Sequence, residues 1–358
     1  MRPTVAAALR ARPAGEDDWT ALRRALDAVV ELYHQDPAGT LATTRLIKDT
    51  PALCARSLDR TRGPLFPRPA WRDGSLARRR LRAARSAREN NGRITMDPRS
   101  TGDAVAGLLD AYATRTPIAP LTTTYADMSV SDAYEIQLAQ VEAWQAGGAR
   151  IVGHKVGLTS AVMRRQLGVD QPDYGHLLDG MAYMDGAPID AARFLQPRIE
   201  PEIAFVLKRP LAGPGVTAAT AAAAVDFVLP ALEIIDSRIA DWKITLADTI
   251  ADNASSGGFV LGTRPTPLAD ADLALTGCLL HRNGELVQTG AGGAVLGSPL
   301  NALVWLANVL GERKVALEAG HVVLPGSVTA AIPVEQGDIV TATFAGLGTV
   351  TANFRQAS

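Results

Sequence analysis

Cysteine is nearly absent from this sequence. The two residues present among 358, Cys54 and Cys278, lie far apart in regions of different composition, which excludes a disulfide framework and a thiolate metal site. Histidine is also scarce. None of His34, His154, His176, His281 and His321 has a partner one helical turn away, so zinc-ligand spacing is missing and any bound metal must be held by oxygen. No apolar run approaches the roughly 18 residues of a bilayer span, and the N-terminus lacks the apolar core of a secretory signal. A dominant charge is missing too, since the formal net charge is -1, which gives no global attraction to nucleic acid or to a membrane surface. The default expectation is a cytoplasmic protein with neither as a partner.

What is present is apolar material: 47% of residues are hydrophobic and 20% charged, enough to bury a sizeable core in one large domain with an appendage, or in two domains. The chain divides near Met96. Before it, "ARRRLRAARSAR" is a dense basic run, "GPLFPRPAWRDG" is broken by prolines, and helical spacing is confined to "DDWTALRRALDAVVELYHQ". Without interleaved aromatics the basic run reads as a solvated tail rather than a nucleic-acid patch. Residues 1–95 are therefore expected to be an Arg/Pro-rich extension, poorly ordered or partly helical, and translation starting at Met96 would leave them out of the native protein.

From Met96 the punctuation is regular. "SVSDAYEIQLAQVEAWQAGG" carries a capping-box pattern at Ser129 and Asp132 and stops at Gly147-Gly148, which predicts a surface helix. "RIVGHKVGLTS" alternates as a strand, and "TSAVMRRQLG" follows as a short helix. Later, "CLLHRNGELVQTG" has the Asn283-Gly284 signal of a hairpin. "GSPLNALVWLANVLG" predicts a helix with Ser298 as cap and Gly311 past its end, and the C-terminal tail predicts short strands. Residues 96–150 are thus the helical part and residues 151–358 the β-rich part.

The chemistry centres on "RIEPEIAFVL". Strand alternation puts Glu200 and Glu202 on one side at the mouth of a strand that turns apolar on both faces, with Pro201 at a strand start or edge. Glu233, in "LPALEIID", is flanked by Leu232, Ile234 and Ile235. Three converging carboxylates would raise one another's pKa unless a cation neutralises them, and a hard divalent ion such as Mg2+ or Mn2+ suits an all-oxygen set. The alternative is that Glu200 and Glu202 pair with Arg198 and that Glu233 answers Arg238. Lys155 shares a strand face with Gly153 and Gly157; that bare face is either solvent-exposed or closely approached by a ligand, and beside a metal a desolvated lysine would have a lowered pKa. The island "DNASS" is either a self-bonded turn or a source of neutral donors to a substrate.

Taken together, "GHKVGLTS", "LGVDQPDYGHLLDGM", "QPRIEPEIAFVL", "LPALEIIDSRIADWKITLADTIADNASS" and "GSPLNALVWLANVLG" resemble the 2-keto-4-pentenoate hydratases of aromatic meta-cleavage pathways, within the fumarylacetoacetate hydrolase superfamily. The resemblance runs from about Met96 to the C-terminus. It implies an α+β fold, a mixed β-roll preceded by a helical segment, in a homo-oligomer with the pathway aldolase as a partner. It implies Mg2+ or Mn2+ on Glu200, Glu202 and Glu233, Lys155 and Asp173 as proton-transfer groups, and Ser160 and Ser256 as substrate contacts. The implied reaction is hydration of 2-hydroxypenta-2,4-dienoate to 4-hydroxy-2-oxopentanoate. The rivals are 4-oxalocrotonate decarboxylation in the same superfamily, cleavage of acylpyruvates, and a non-catalytic cation-binding scaffold.

Overall fold

Residues 96–355, apart from 162, 163, 166 and 167, are described by a computed structural model. The extension over residues 1–95, with its helix and the question of its translation, lies outside the described residues. Three helices come first: α1 (Pro98–Thr114), α2 (Leu121–Thr124) and α3 (Val130–Ala146). Asp97 caps α1 by accepting the amides of Arg99 and Ser100, and Ser129 and Asp132 form the expected reciprocal capping box on α3. The expectation of a surface helix is corrected. Ile136, Gln137 and Gln140 of α3 are fully buried, and the two glutamine amides donate to the carbonyls of Tyr174, Ile250 and Ala251, at 2.6–3.0 Å.

The rest of the chain runs β1 (Ile151–Gly157), β2 (Asp173–Leu178), β3 (Ala182–Met184), β4 (Arg198–Leu207), α4 (Ala218–Ala224), β5 (Val225–Ile235), α5 (Leu246–Ala251), β6 (Ser256–Leu261), β7 (Gly277–Arg282), β8 (Glu285–Ala291), α6 (Pro299–Glu312), β9 (Val322–Leu324), β10 (Ile332–Pro333), β11 (Ile339–Phe344) and β12 (Gly348–Asn353). An 8-stranded sheet has the order β2-β1-β9-β4-β5-β6-β3, with β10 beside β4, and a 4-stranded sheet has the order β12-β11-β7-β8. The larger sheet is mixed, because β1 with β9 and β3 with β6 pair in parallel while its other ladders are antiparallel. This is the expected α+β architecture, with helices preceding a mixed sheet.

Most punctuation signals are obeyed. Asn283 and Gly284 take φ of 55° and 88°, the left-handed pair that a two-residue hairpin between β7 and β8 requires. Gly311 departs from expectation, since it lies inside α6 rather than past its end. Packing explains this, because a Cβ at 311 would collide with the backbone of Gly213. The stretch Gly292–Glu312 has a mean hydropathy of 1.4, sufficient by length and composition to span a membrane, yet Leu303, Leu306 and Leu310 of α6 lie in the core. Pro201 sits well within β4, paired with Leu232 of β5. On its other flank β10 pairs only with residues 198–199 and β9 only with 205–206, so the proline faces a gap in the ladder where no amide is needed.

One buried ion pair ties the helical part to the sheet. Arg238 is fully buried; its Nε donates to Asp252 at 2.5 Å, its other nitrogens reach the carbonyls of Asp252 and Ser256, and its guanidinium lies 4.1 Å from the centre of the Tyr112 ring on α1. Burial pushes the Asp252 carboxyl up to about 6 against the pull of Arg238. Removing one partner leaves the other charge uncompensated. Arg238→Met is therefore expected to lower unfolding free energy by about 3–5 kcal/mol in urea denaturation, well beyond a surface substitution.

Candidate active site

Antiparallel register creates the cluster. Glu200 on β4 is the direct partner of Glu233 on β5, so the two side chains share a face, and Glu202 follows one pleat further along β4. One oxygen from each of Glu200, Glu202 and Glu233 lies within 4.8 Å of the others. Glu202 and Glu233 are buried and Glu200 is partly so. The amide of Gly326 donates to Glu202 Oε2 at 2.7 Å, while Glu202 Oε1 and both Glu233 oxygens have no hydrogen-bond donor.

The arginine alternatives do not hold. Arg238 is engaged by Asp252, and Arg198 lays its guanidinium 4.5 Å from the centre of the Trp242 ring and has no ion pair among the described residues. The cation that reaches the acids is Lys155 on β1. Its Nζ stands 3.2 Å from Glu233 Oε1, and both side chains are almost completely buried, in a charge contact that lacks hydrogen-bond alignment. The lysine pKa follows from this contact as long as no ion neutralises the acids. Burial alone would depress it, but Glu233, followed by Asp173, Glu200 and Glu202, outweighs burial and raises it.

Asp173, at the start of β2, pairs with Gly157 of β1. A Cβ on Gly157 would strike its carboxylate, so this glycine makes room for an acid of the protein itself. Gly175 likewise accommodates the Asn253 carbonyl and the Ser256 hydroxyl, and Gly153 accommodates the Val322 carbonyl. The bare face around Lys155 is thus neither solvent-facing nor open. Asp173 is buried with Oδ1 unpartnered, and burial raises its pKa despite Lys155.

The hydroxyls are placed by a strained turn. Asn253, Ala254 and Ser255 all have φ between 51° and 55°, a left-handed run that non-glycine residues adopt at a cost of roughly 1–2 kcal/mol each. It is held by the Asn253 amide, which accepts from the His176 amide at 2.8 Å and donates to the His176 carbonyl at 3.0 Å. The turn commits the Ser256 hydroxyl to the Asn253 carbonyl at 2.8 Å. Ser255 instead meets the Thr249 hydroxyl at 3.3 Å. Sequence reasoning placed Ser255 and Ser256 in one polar island and did not name Thr249; the doubled serine of "DNASS" does not say how the two hydroxyls are directed. Ser160 is partly buried in the turn after β1, where its carbonyl accepts the Arg164 amide, and no described contact joins its hydroxyl to the acids. Leu158 in that turn has φ of 56°, with the Arg164 guanidinium on the carbonyls of Leu158 and Thr159.

The donor set suits a divalent cation. Three oxygen ligands converge with unpartnered atoms, and one lysine leaves most of their charge unanswered. Comparison with known proteins agrees. The family described as fumarylacetoacetate (FAA) hydrolase C-terminal matches residues 162–355. A 2-keto-4-pentenoate hydratase of Paraburkholderia xenovorans is 46% identical over 72% of this chain and 96% of its own length. A 4-oxalocrotonate decarboxylase of Pseudomonas sp. (strain CF600) is 43% identical over 66% of this chain and 90% of its own. In structure, a 4-oxalocrotonate decarboxylase from Pseudomonas putida G7, complexed with magnesium and adipate, superposes with a TM-score of 0.71 at 39% identity, covering 73% of this chain and 99% of that one.

Titration tests the crowding of the acids. Burial, then Glu233, push the Glu200 carboxyl from 4.5 up to about 7, and burial with its acidic neighbours raises Glu202 well above the usual range. A carboxyl whose folded pKa is raised stabilises the protein below its unfolded pKa and loses that contribution as pH rises through the folded value. In chelator, the wild type should therefore lose on the order of 2 kcal/mol relative to Glu200→Gln between pH 4.5 and 7.5, with partial exposure taken into account. Urea denaturation at the two pH values measures this, and an unchanged difference would contradict it.

Proposed function

The chain belongs to the fumarylacetoacetate hydrolase superfamily, within its 2-keto-4-pentenoate hydratase family, and on that premise we propose that it adds water to 2-hydroxypenta-2,4-dienoate, giving 4-hydroxy-2-oxopentanoate in the meta-cleavage breakdown of aromatic compounds. The observation that carries the reading is the convergence of Glu200, Glu202 and Glu233 beside a buried lysine. These three residues would hold a divalent ion, Mg2+ or Mn2+; magnesium and calcium occupy related decarboxylase structures. Bound there, the ion supplies positive charge to the carboxylate and 2-oxygen of the substrate.

The remaining chemistry belongs to side chains. Lys155, kept charged by its acidic neighbours, donates a proton from Nζ to C5 of the dienoate. The 2-hydroxyl proton passes to the Lys155 amine that this transfer leaves neutral, the double bonds shift, and a 2-oxo-3-enoate results. Asp173, with Oδ1 unpartnered, takes a proton from the water that adds to C4 and delivers it to C3, which completes the product. The Thr249 and Ser255 hydroxyls, which meet each other at 3.3 Å, orient the substrate oxygen. Burial of Lys155 and Asp173, at 4% and 2% exposure, keeps bulk water from competing for these protons. Ser160 and Ser256 retain lesser roles, in the turn after β1 and in the packing under Gly175. Homo-oligomeric assembly, association with the pathway aldolase and a cytoplasmic location belong to the same reading and rest on family resemblance.

Two measurements test it. Following dienoate absorbance, purified protein with Mg2+ or Mn2+ should turn over 2-hydroxypenta-2,4-dienoate with higher kcat/KM than it decarboxylates 2-oxohex-3-enedioate; the reverse order would assign the decarboxylase reaction. Glu233→Gln should lose about 100-fold or more in kcat together with metal affinity. Lys155→Met should lose about 100- to 10,000-fold in kcat while binding metal at least as tightly, because the lysine competes with the ion for Glu233.

A further inference from the structure

Three histidines that are scattered in sequence meet behind the catalytic strands. His154 and His176 are register partners on β1 and β2, with ring centroids 4.8 Å apart, and His321, at the entry to β9, brings its ring 6.0 Å from that of His154. Alternation along β1 puts His154 on the face opposite Lys155. The rings line a cavity of about 420 Å³, roofed by Leu138, Val141 and Glu142 of α3 and walled by the segment from Val315 to Glu318.

The imidazoles lack partners. His154 is 2% and His176 4% exposed, yet neither ring nitrogen of His154, nor Nδ1 of His176, is hydrogen-bonded. Buried polar groups left unpaired call for a water, an ion or a ligand. Burial holds all three rings below their ordinary pKa, His176 at about 4, so at neutral pH they are uncharged and each offers an acceptor nitrogen. In His321 that acceptor is Nδ1, which takes the Glu318 amide at 3.1 Å. No lysine or arginine lines the cavity; its charged groups are Glu142 and Glu318, both exposed at the rim.

A closed metal centre does not fit this geometry. Among the described residues, the group whose three ligand atoms come within 4.8 Å of one another is the glutamate triad. The volume also exceeds what an ion needs, and the walls are apolar. Lone pairs at the floor, carboxylates at the rim and aliphatic sides complement a cationic hydrogen-bond donor carried on a small apolar body.

We propose that this cavity binds a small organic ammonium ion, whose N–H groups donate to the His154 and His176 imidazoles and whose charge is answered by Glu318 and Glu142. The site is separate from the glutamate triad and does not depend on the reaction assigned to it. Benzylammonium is a suitable probe, with benzyl alcohol as an uncharged molecule of the same shape, followed by calorimetry and by imidazole nitrogen NMR. Saturable one-to-one binding of benzylammonium is expected at pH 7.5, with benzyl alcohol at least tenfold weaker and with shifts at the His154 and His176 nitrogens. Affinity should fall at least tenfold in His154→Phe and severalfold in Glu318→Gln, whose exposed site leaves the fold unaffected, and should be unchanged in Glu233→Gln. It should persist through pH 6 and weaken as the pH approaches about 4, where His176 protonates. Absence of saturable binding, equal binding of the alcohol, or full affinity in both cavity variants would overturn the proposal.

Discussion

Glu200 and Glu233 face each other across the ladder between β4 and β5, so the roots of the two side chains cannot move apart without sliding one core strand past another. Residues on either side of them are packed: Ile199, Ile203, Leu232 and Ile234 are fully buried. The strand pair that forms the core therefore forces negative charges together, with Glu202 and Asp173 adding two more. Lys155 is the one cation with a described ion pair to them, and it cannot balance four acids. Either protons occupy the carboxyls, as the raised Glu200 and Glu202 imply, or a divalent ion does. The proposed catalysis uses the second state and titration reports the first.

Some of the strained backbone lies in the segments that carry this site. The left-handed run at residues 253–255 and Leu158 at φ 56° flank the site on two sides, and each is held by side chains whose polar groups are spent on backbone. Asn253 clamps His176, Arg164 clamps the turn after β1, and Arg238 fastens Asp252 just before the strained run. These contacts fix where hydroxyls and carboxylates point, which is what a site needs when it must place protons within hydrogen-bond reach.

Much of this was legible in the residues. Alternation in "RIEPEIAFVL" is a local property, so the shared face of Glu200 and Glu202 could be read directly; the capping box at Ser129 and the hairpin at Asn283-Gly284 are local too. The convergence with Glu233 was an inference from the cost of an isolated buried acid, and register then supplied it. What escaped depended on which strands become neighbours. Arg238 reads as a partner for Glu233 five residues away, but the chain turns and offers it Asp252. Gly153 and Gly157 beside Lys155 read as either a solvent-facing strand or an approach for ligand, whereas they admit the Val322 carbonyl and the Asp173 carboxylate. Ser255 and Ser256 are chemically identical in sequence, and a backbone conformation that sequence disfavours decides between them. His154, His176 and His321 carry no spacing signal because three adjacent strands, not a helix turn, bring them together.

The account depends on the acids gripping one ion in common. The most direct measurement is a crystal structure of the protein soaked in Mn2+, with anomalous diffraction collected for manganese. The account predicts one strong peak bonded to Glu200, Glu202 and Glu233, with Lys155 Nζ withdrawn from its 3.2 Å contact with Glu233. A peak elsewhere, or a site in which Lys155 still holds Glu233 and no manganese touches the three carboxylates, would contradict it.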